Sequence, residues 1–87
     1  MAEVTVILPP GVGLHARPAA MFVKAASEAS MPITVGRPGE APVDAKSILA
    51  VMGLGAKAGE EIVLVADGDG AEGTLADLKA LLETAEE

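Results

Sequence analysis

All six prolines of this 87-residue chain fall at positions 9, 10, 18, 32, 38 and 42, and they dictate where regular structure can begin and end. Proline offers no N–H to a strand ladder, and a helix accepts it only in the first turn. Pro9-Pro10-Gly11 must therefore close whatever precedes it, and Met31-Pro32 must separate the segments on either side. Pro18 is followed by Ala19-Ala20-Met21-Phe22-Val23-Lys24-Ala25-Ala26, a run with high helix propensity, so it reads as a helix start. The first half of the chain is thus a series of short elements joined by tight turns.

Hydrophobic periodicity supplies the elements. Glu3 to Leu8 alternates, with Val4, Val6 and Leu8 on one side and Glu3, Thr5 and Ile7 on the other, which predicts a strand. The helix after Pro18 runs to Ser27–Ser30 and buries a stripe of Ala19, Phe22, Val23 and Ala26. Ile33-Thr34-Val35 alternates again. Gly36-Arg37-Pro38-Gly39 is turn chemistry, so Ala41 to Asp44 returns as a hairpin partner, and Pro42 makes it an edge strand. Ile48 to Met52 is a helix of under two turns, capped by Ser47 and closed by Gly53 and Gly55. Glu60 to Ala66 is the clearest strand, since its β-branched residues alternate on both faces. Asp67-Gly68-Asp69-Gly70 turns and caps the chain into a last amphipathic helix. This helix starts near Ala71, carries Leu75, Leu78 and Leu82 on one face, and frays over Glu83 to Glu87. The order is βαββαβα in one domain spanning residues 1–87, a size with room for a single modest core.

Phe22 is the only aromatic residue, so that core is aliphatic. Without cysteine there is no disulfide framework and no thiolate chemistry. A net charge of −7 and the lack of stacking aromatics argue against a nucleic-acid partner. Met1-Ala2-Glu3 leads directly into a strand pattern with no basic or apolar leader, so a cytoplasmic protein without membrane insertion is expected. Against the acidic background, Arg17, Lys24 and Lys46 fall on the candidate site or on elements able to approach it. A local basic spot on an acidic body suits a phosphorylated ligand or an acidic partner face.

The chemistry concentrates in Gly13-Leu14-His15-Ala16-Arg17-Pro18-Ala19-Ala20, where the single histidine stands at a strand-to-helix junction. The first amides of a helix lack internal partners and carry partial positive charge, so an anion at His15 meets free N–H groups at Ala16 and Arg17. The Arg17 guanidinium adds a fixed charge with a fork suited to phosphate. Imidazole beside a positive helix end resists protonation and keeps a lone pair near neutral pH. With no second histidine and no cysteine, a metal site is not indicated; an anion or phosphoryl site is. The bland alternative is a solvated loop histidine beside a surface arginine.

Two other patterns fail on inspection. Gly11, Gly13 and Ala16 match a dinucleotide-binding fingerprint, but Gly36 and Arg37 stand where its acidic residue belongs, and the chain is too short for a doubly wound cofactor domain. Counting from Asp67 as the start of a calcium loop puts Glu72 where glycine is required and Leu78 where glutamate is required.

The stretch from Gly13 to Ala19 resembles the active-site signature of the HPr family, the histidine-containing phosphocarriers of the bacterial phosphoenolpyruvate:sugar phosphotransferase system. Asp44-Ala45-Lys46-Ser47-Ile48-Leu49-Ala50-Val51-Met52 resembles the segment around the family's regulatory serine, and Leu54-Gly55 with Gly59-Glu60-Glu61-Ile62 resembles its run into the last strand. The resemblance covers essentially the whole chain. It implies an α+β open-faced β-sandwich, a four-stranded antiparallel sheet with three helices on one face. It implies further that His15 accepts a phosphoryl group on Nδ1 from phosphorylated enzyme I and passes it to enzyme IIA domains, with Arg17 and the helix-start amides stabilising it. Ile48, Leu49 and Met52, flanked by Lys24, become the exposed docking patch, and Ser47 the kinase-phosphorylated position, although a helix N-cap accounts for Ser47 equally well. On this reading the protein is a monomeric carrier without cofactor or metal, not a stand-alone catalyst, and a serine kinase/phosphorylase and a transcriptional regulator join its partners. The alternatives are a regulatory binding module switched at Ser47 and a nitrogen-regulatory phosphotransferase paralogue. Two departures from the family pattern stand out: Val12 replaces an often polar residue, and the spacing from His15 to Ser47 is longer by one, which the hairpin around Arg37 to Pro42 can absorb.

Overall fold

The structure is a computed structural model that describes residues 2–9, 16–57 and 59–84, with residues 16–18 described by their backbone alone. Its elements are β1 (Ala2–Ile7), α1 (Ala16–Ser27), β2 (Ile33–Gly36), β3 (Val43–Asp44), α2 (Ile48–Gly53), β4 (Glu61–Ala66) and α3 (Ala71–Glu83). The strands form one antiparallel sheet in the order β1-β4-β2-β3, so the strand latest in sequence lies between the first two. β4 tolerates this central position because both of its faces are apolar.

The register explains how alternation becomes a core. Val6 stands opposite Ile62, and Val4, Leu64 and Val35 form a row across β1, β4 and β2. Ile62, Leu64, Val35 and Val6 are fully buried under the helices. The other face carries Glu3 opposite Val65, Thr5 opposite Val63 and Ile7 opposite Glu61; it has no helix over it, and Ile7 is 61% exposed. α3 packs on β1 and β4, α1 packs on α3 and α2, and α2 reaches β3, giving the open-faced α+β sandwich.

α1 starts at Ala16, directly after His15, in keeping with the helix start expected around Pro18. Pro18 is its third residue and still within the first turn, where a missing N–H breaks no helical hydrogen bond. Ala19, Phe22 and Ala26 are completely buried, as their spacing predicts, and Val23 packs at the margin. β3 is shorter than the expected Ala41–Asp44 and occupies an edge. The hairpin closes tightly: a Cβ on Gly36 would lie 3.0 Å from the Cα of Pro42. Ser47 is the N-cap of α2, its Oγ accepting from the Ala50 N–H at 3.3 Å. At the other end Leu54, following Gly53, is the cap, and Gly55 at φ +66° donates its N–H to the Met52 carbonyl.

The cap of α3 differs in kind from one built on an aspartate side chain. Gly70 holds the N-cap position at φ +81° with no side-chain cap bond, and its carbonyl accepts from the Thr74 N–H at 3.0 Å. Ahead of it, Gly68 at φ +143° leaves room for Met31, whose Cβ a side chain there would approach to 3.0 Å. Ala71, Leu75, Leu78 and Leu82 form the buried face of α3. No helix among the described residues is long and apolar enough to cross a membrane. The expected turn at Pro10-Gly11, the departure at Val12 and the fraying end at Ala85 to Glu87 lie outside the described residues.

Candidate functional site

Gly13, Leu14 and His15, and the side chains of Ala16, Arg17 and Pro18, lie outside what is described. What the backbone establishes is that the residue after His15 is the first of α1. Of the first three helical residues only Ala16 and Arg17 carry an N–H, because the third is proline. No acidic side chain stands in that first turn to compete for them. Two orphan amides with positive dipole charge therefore follow the histidine directly in the chain.

The docking residues expected from the sequence fall on exposed ground. Among the described residues the exposed large apolar side chains are Ile7, Met21, Ile48, Leu49 and Met52. Only Ile7 is on the sheet; the rest belong to α1 and α2, which pack against each other. Leu49 is 81% exposed. Isolated exposed apolar residues are ordinary, whereas several on adjoining helices mark a surface that meets another molecule. Lys24 is exposed on α1, three residues beyond Met21. That spacing places both on one helix side, away from the buried stripe, as the sequence pattern implies.

Two further cations near these helices, Lys46 and Arg37, are engaged. Lys46 is half-buried, and its Nζ donates to the carbonyl of Ala29, just past the end of α1, at 2.9 Å; its own N–H bonds to Asp44 Oδ1 at 2.9 Å. Arg37, read from sequence as turn material, pairs with Glu60, lies 3.6 Å from Glu40, and donates through Nη1 to the Leu54 carbonyl at 3.5 Å. Nothing in the sequence singles out that pairing, since the partners are 23 residues apart and meet only because β4 lies beside β2. Among the described residues no group of three or more His, Cys, Asp or Glu could hold a metal ion.

A family model for the PTS HPr component phosphorylation site matches residues 2–84. The chain belongs to the HPr family of phosphocarrier proteins. It is 50% identical over 82 residues to the phosphocarrier protein HPr of Streptomyces coelicolor, covering 94% of this chain and 88% of that one. It is 46% identical over 85 residues to the HPr of Haloferax volcanii, covering 97% and 96%. Among solved structures, an HPr from Thermoanaerobacter tengcongensis superposes with a TM-score of 0.89 at 43% identity, covering 97% of this chain and 93% of that one. The function that follows is that of a phosphocarrier in the phosphotransferase system.

Proposed function

We propose that His15 is the residue that carries the phosphoryl group, receiving it from phosphorylated enzyme I and delivering it to an enzyme IIA domain during phosphoenolpyruvate-dependent sugar uptake. The observation that carries this reading is the start of α1 at Ala16, which sets two amides without an intrahelical partner immediately after the histidine. In the transfer, a lone pair on ring Nδ1 attacks phosphorus, a P–N bond forms, and the bond to the donor breaks. The reverse sequence passes the group on. The Ala16 and Arg17 amides and the Arg17 guanidinium offset negative charge on the phosphoryl oxygens as they move between partners. The chain holds the group and does not turn over a substrate alone. It works as a cytoplasmic, monomeric, single-domain carrier that needs no cofactor.

Docking is assigned to Lys24, Ile48, Leu49 and Met52, whose exposure supports the role. A small apolar patch beside a lysine suits a transient, salt-sensitive complex with an acidic partner. Ser47 lies at the edge of this patch and is assigned as a regulatory phosphorylation position. Its phosphate would put about −2 charge next to Ile48 and oppose docking, under a serine kinase/phosphorylase and with a transcriptional regulator as a further partner. The test is incubation with phosphoenolpyruvate and enzyme I, read by intact mass. The wild type gains one phosphoryl group; His15→Ala gains none and melts at the same temperature. Arg17→Ala slows transfer by roughly 10- to 1,000-fold, as expected from losing about 1.4 to 4 kcal/mol of transition-state stabilisation. A phosphorylated His15→Ala protein would refute the assignment.

A further inference from the structure

α2 is held to the body of the protein by very little of itself. It has six residues, Val51 is its one buried side chain, and Ile48, Leu49 and Met52 point their apolar surface outward. A helix this short has almost no stability of its own. Its ends, however, are fastened by two cations that come from different parts of the fold. At the N-terminal end, Lys46, next to the cap residue Ser47, places its ammonium on the Ala29 carbonyl beyond α1 at 2.9 Å. At the C-terminal end, Arg37 reaches from the turn after β2 to the carbonyl of the cap residue Leu54 at 3.5 Å. Glu60 holds the same guanidinium from the other side, and through Oε1 it also accepts the Lys57 N–H at 2.9 Å. The Glu60 carbonyl accepts from the Leu8 N–H at 2.9 Å, which ties the clasp to the end of β1.

We propose that Arg37 is a positioning residue for partner docking: with Lys46 it forms a two-point clamp that holds α2 in place before the partner arrives. The inference rests on the docking role given to α2 above. An exposed ion pair adds little to global stability, and Arg37 is a third exposed, so its contribution lies in local order. A segment already ordered in the free protein loses less entropy on binding, and the gain appears as affinity. The contacts of Arg37 are with Leu54, Glu60 and Glu40, none of them in the apolar patch, so its loss is expected to act on association rather than on the transfer step.

The experiment measures phosphorylation by phospho-enzyme I as a function of enzyme I concentration, at low and high salt. The proteins are wild type, Arg37→Gln, Lys46→Gln and Lys57→Gln. Lys57 is exposed in the same loop and is bonded to Glu60 by its backbone, so Lys57→Gln removes one charge without opening the clamp. Amide hydrogen exchange at Leu54 and Gly55, whose N–H groups close the end of α2, is followed in parallel. Arg37→Gln and Lys46→Gln are expected to raise the half-saturating enzyme I concentration by roughly threefold to tenfold with the maximal rate unchanged, at both salt concentrations. Arg37→Gln also speeds exchange at Leu54 and Gly55. Equal shifts for Arg37→Gln and Lys57→Gln, or a shift that vanishes at high salt, would reduce Arg37 to a charge and overturn the proposal. A fall in maximal rate would overturn it as well. If the wild type accepts no phosphoryl group, the docking reading itself fails; unchanged exchange in Arg37→Gln then refutes the clamp separately, and faster exchange supports it.

Discussion

α2 and α3 flank the same molecule and use apolar residues in opposite ways. α3, with 13 residues, turns Ala71, Leu75, Leu78 and Leu82 inward onto β1 and β4. α2, with six residues, buries Val51 and leaves Ile48, Leu49 and Met52 outside. Hydrophobic surface in α3 stabilises the fold; in α2 it stays exposed, the surface to which the proposed docking role is assigned. The difference is one of length and anchoring. A long amphipathic helix secures itself by burial, and a short one must be capped and pinned, here by Ser47, Lys46 and Arg37.

This contrast can be broken experimentally. Leu78→Ala removes a side chain that is 2% exposed and should cost about 2–5 kcal/mol of stability in urea or thermal unfolding, with phosphate acceptance retained while the protein stays folded. A cost as small as a surface change would mean that α3 is not the anchor described. Met52→Glu should do the reverse. Its unfolding should stay within about 0.5 kcal/mol of wild type, and the half-saturating enzyme I concentration should rise on the order of tenfold, the scale of a substantial interface residue. If Met52→Glu destabilises the fold as Leu78→Ala does, the patch belongs to the core. Ser47→Ala, the mildest of these, removes the cap bond to Ala50 and should cost about 1 kcal/mol, while Ser47→Asp keeps an acceptor there and loses less. Identical melting of both variants would show that the cap contributes nothing.

The element order was readable from sequence because each boundary has a local cause. Pro9 closes β1, Pro18 can stand only in the first turn of α1, and Ser47 offers an N-cap oxygen. The buried face of α3 follows from the leucine spacing alone. What local reasoning could not supply are features made by distant residues meeting. The pairing of Arg37 with Glu60 depends on β4 lying beside β2, and an aliphatic alternation such as Glu60 to Ala66 names no neighbours. The turn and cap expected at Asp67 to Gly70 do lead into α3, with Gly70 at the N-cap, but the close approach of Gly68 to Met31 is again a contact between distant residues that local reasoning does not supply. For the site, His15 and Arg17 stand out by residue type and position, and the family motif lends them roles. The structure adds where the helix begins.

The central place of β4 also governs how the chain can acquire its shape. β1 pairs only with β4, Ala2 meeting Ala66 across about three quarters of the chain, and β2 lies on the other side of the same strand. As the polypeptide leaves the ribosome, β1 and β2 emerge without the partner that joins them, and the helices α1 and α2 have no finished sheet to cover. Contacts between residues so far apart carry a loop-closure cost before they repay it, which slows folding relative to a hairpin meander of the same size. Until Glu61 to Ala66 is available, Val6 and Val35 remain apolar residues on unpaired edges, the condition in which chains associate with one another. The last strand to be synthesised is thus the event that turns separate elements into a protein.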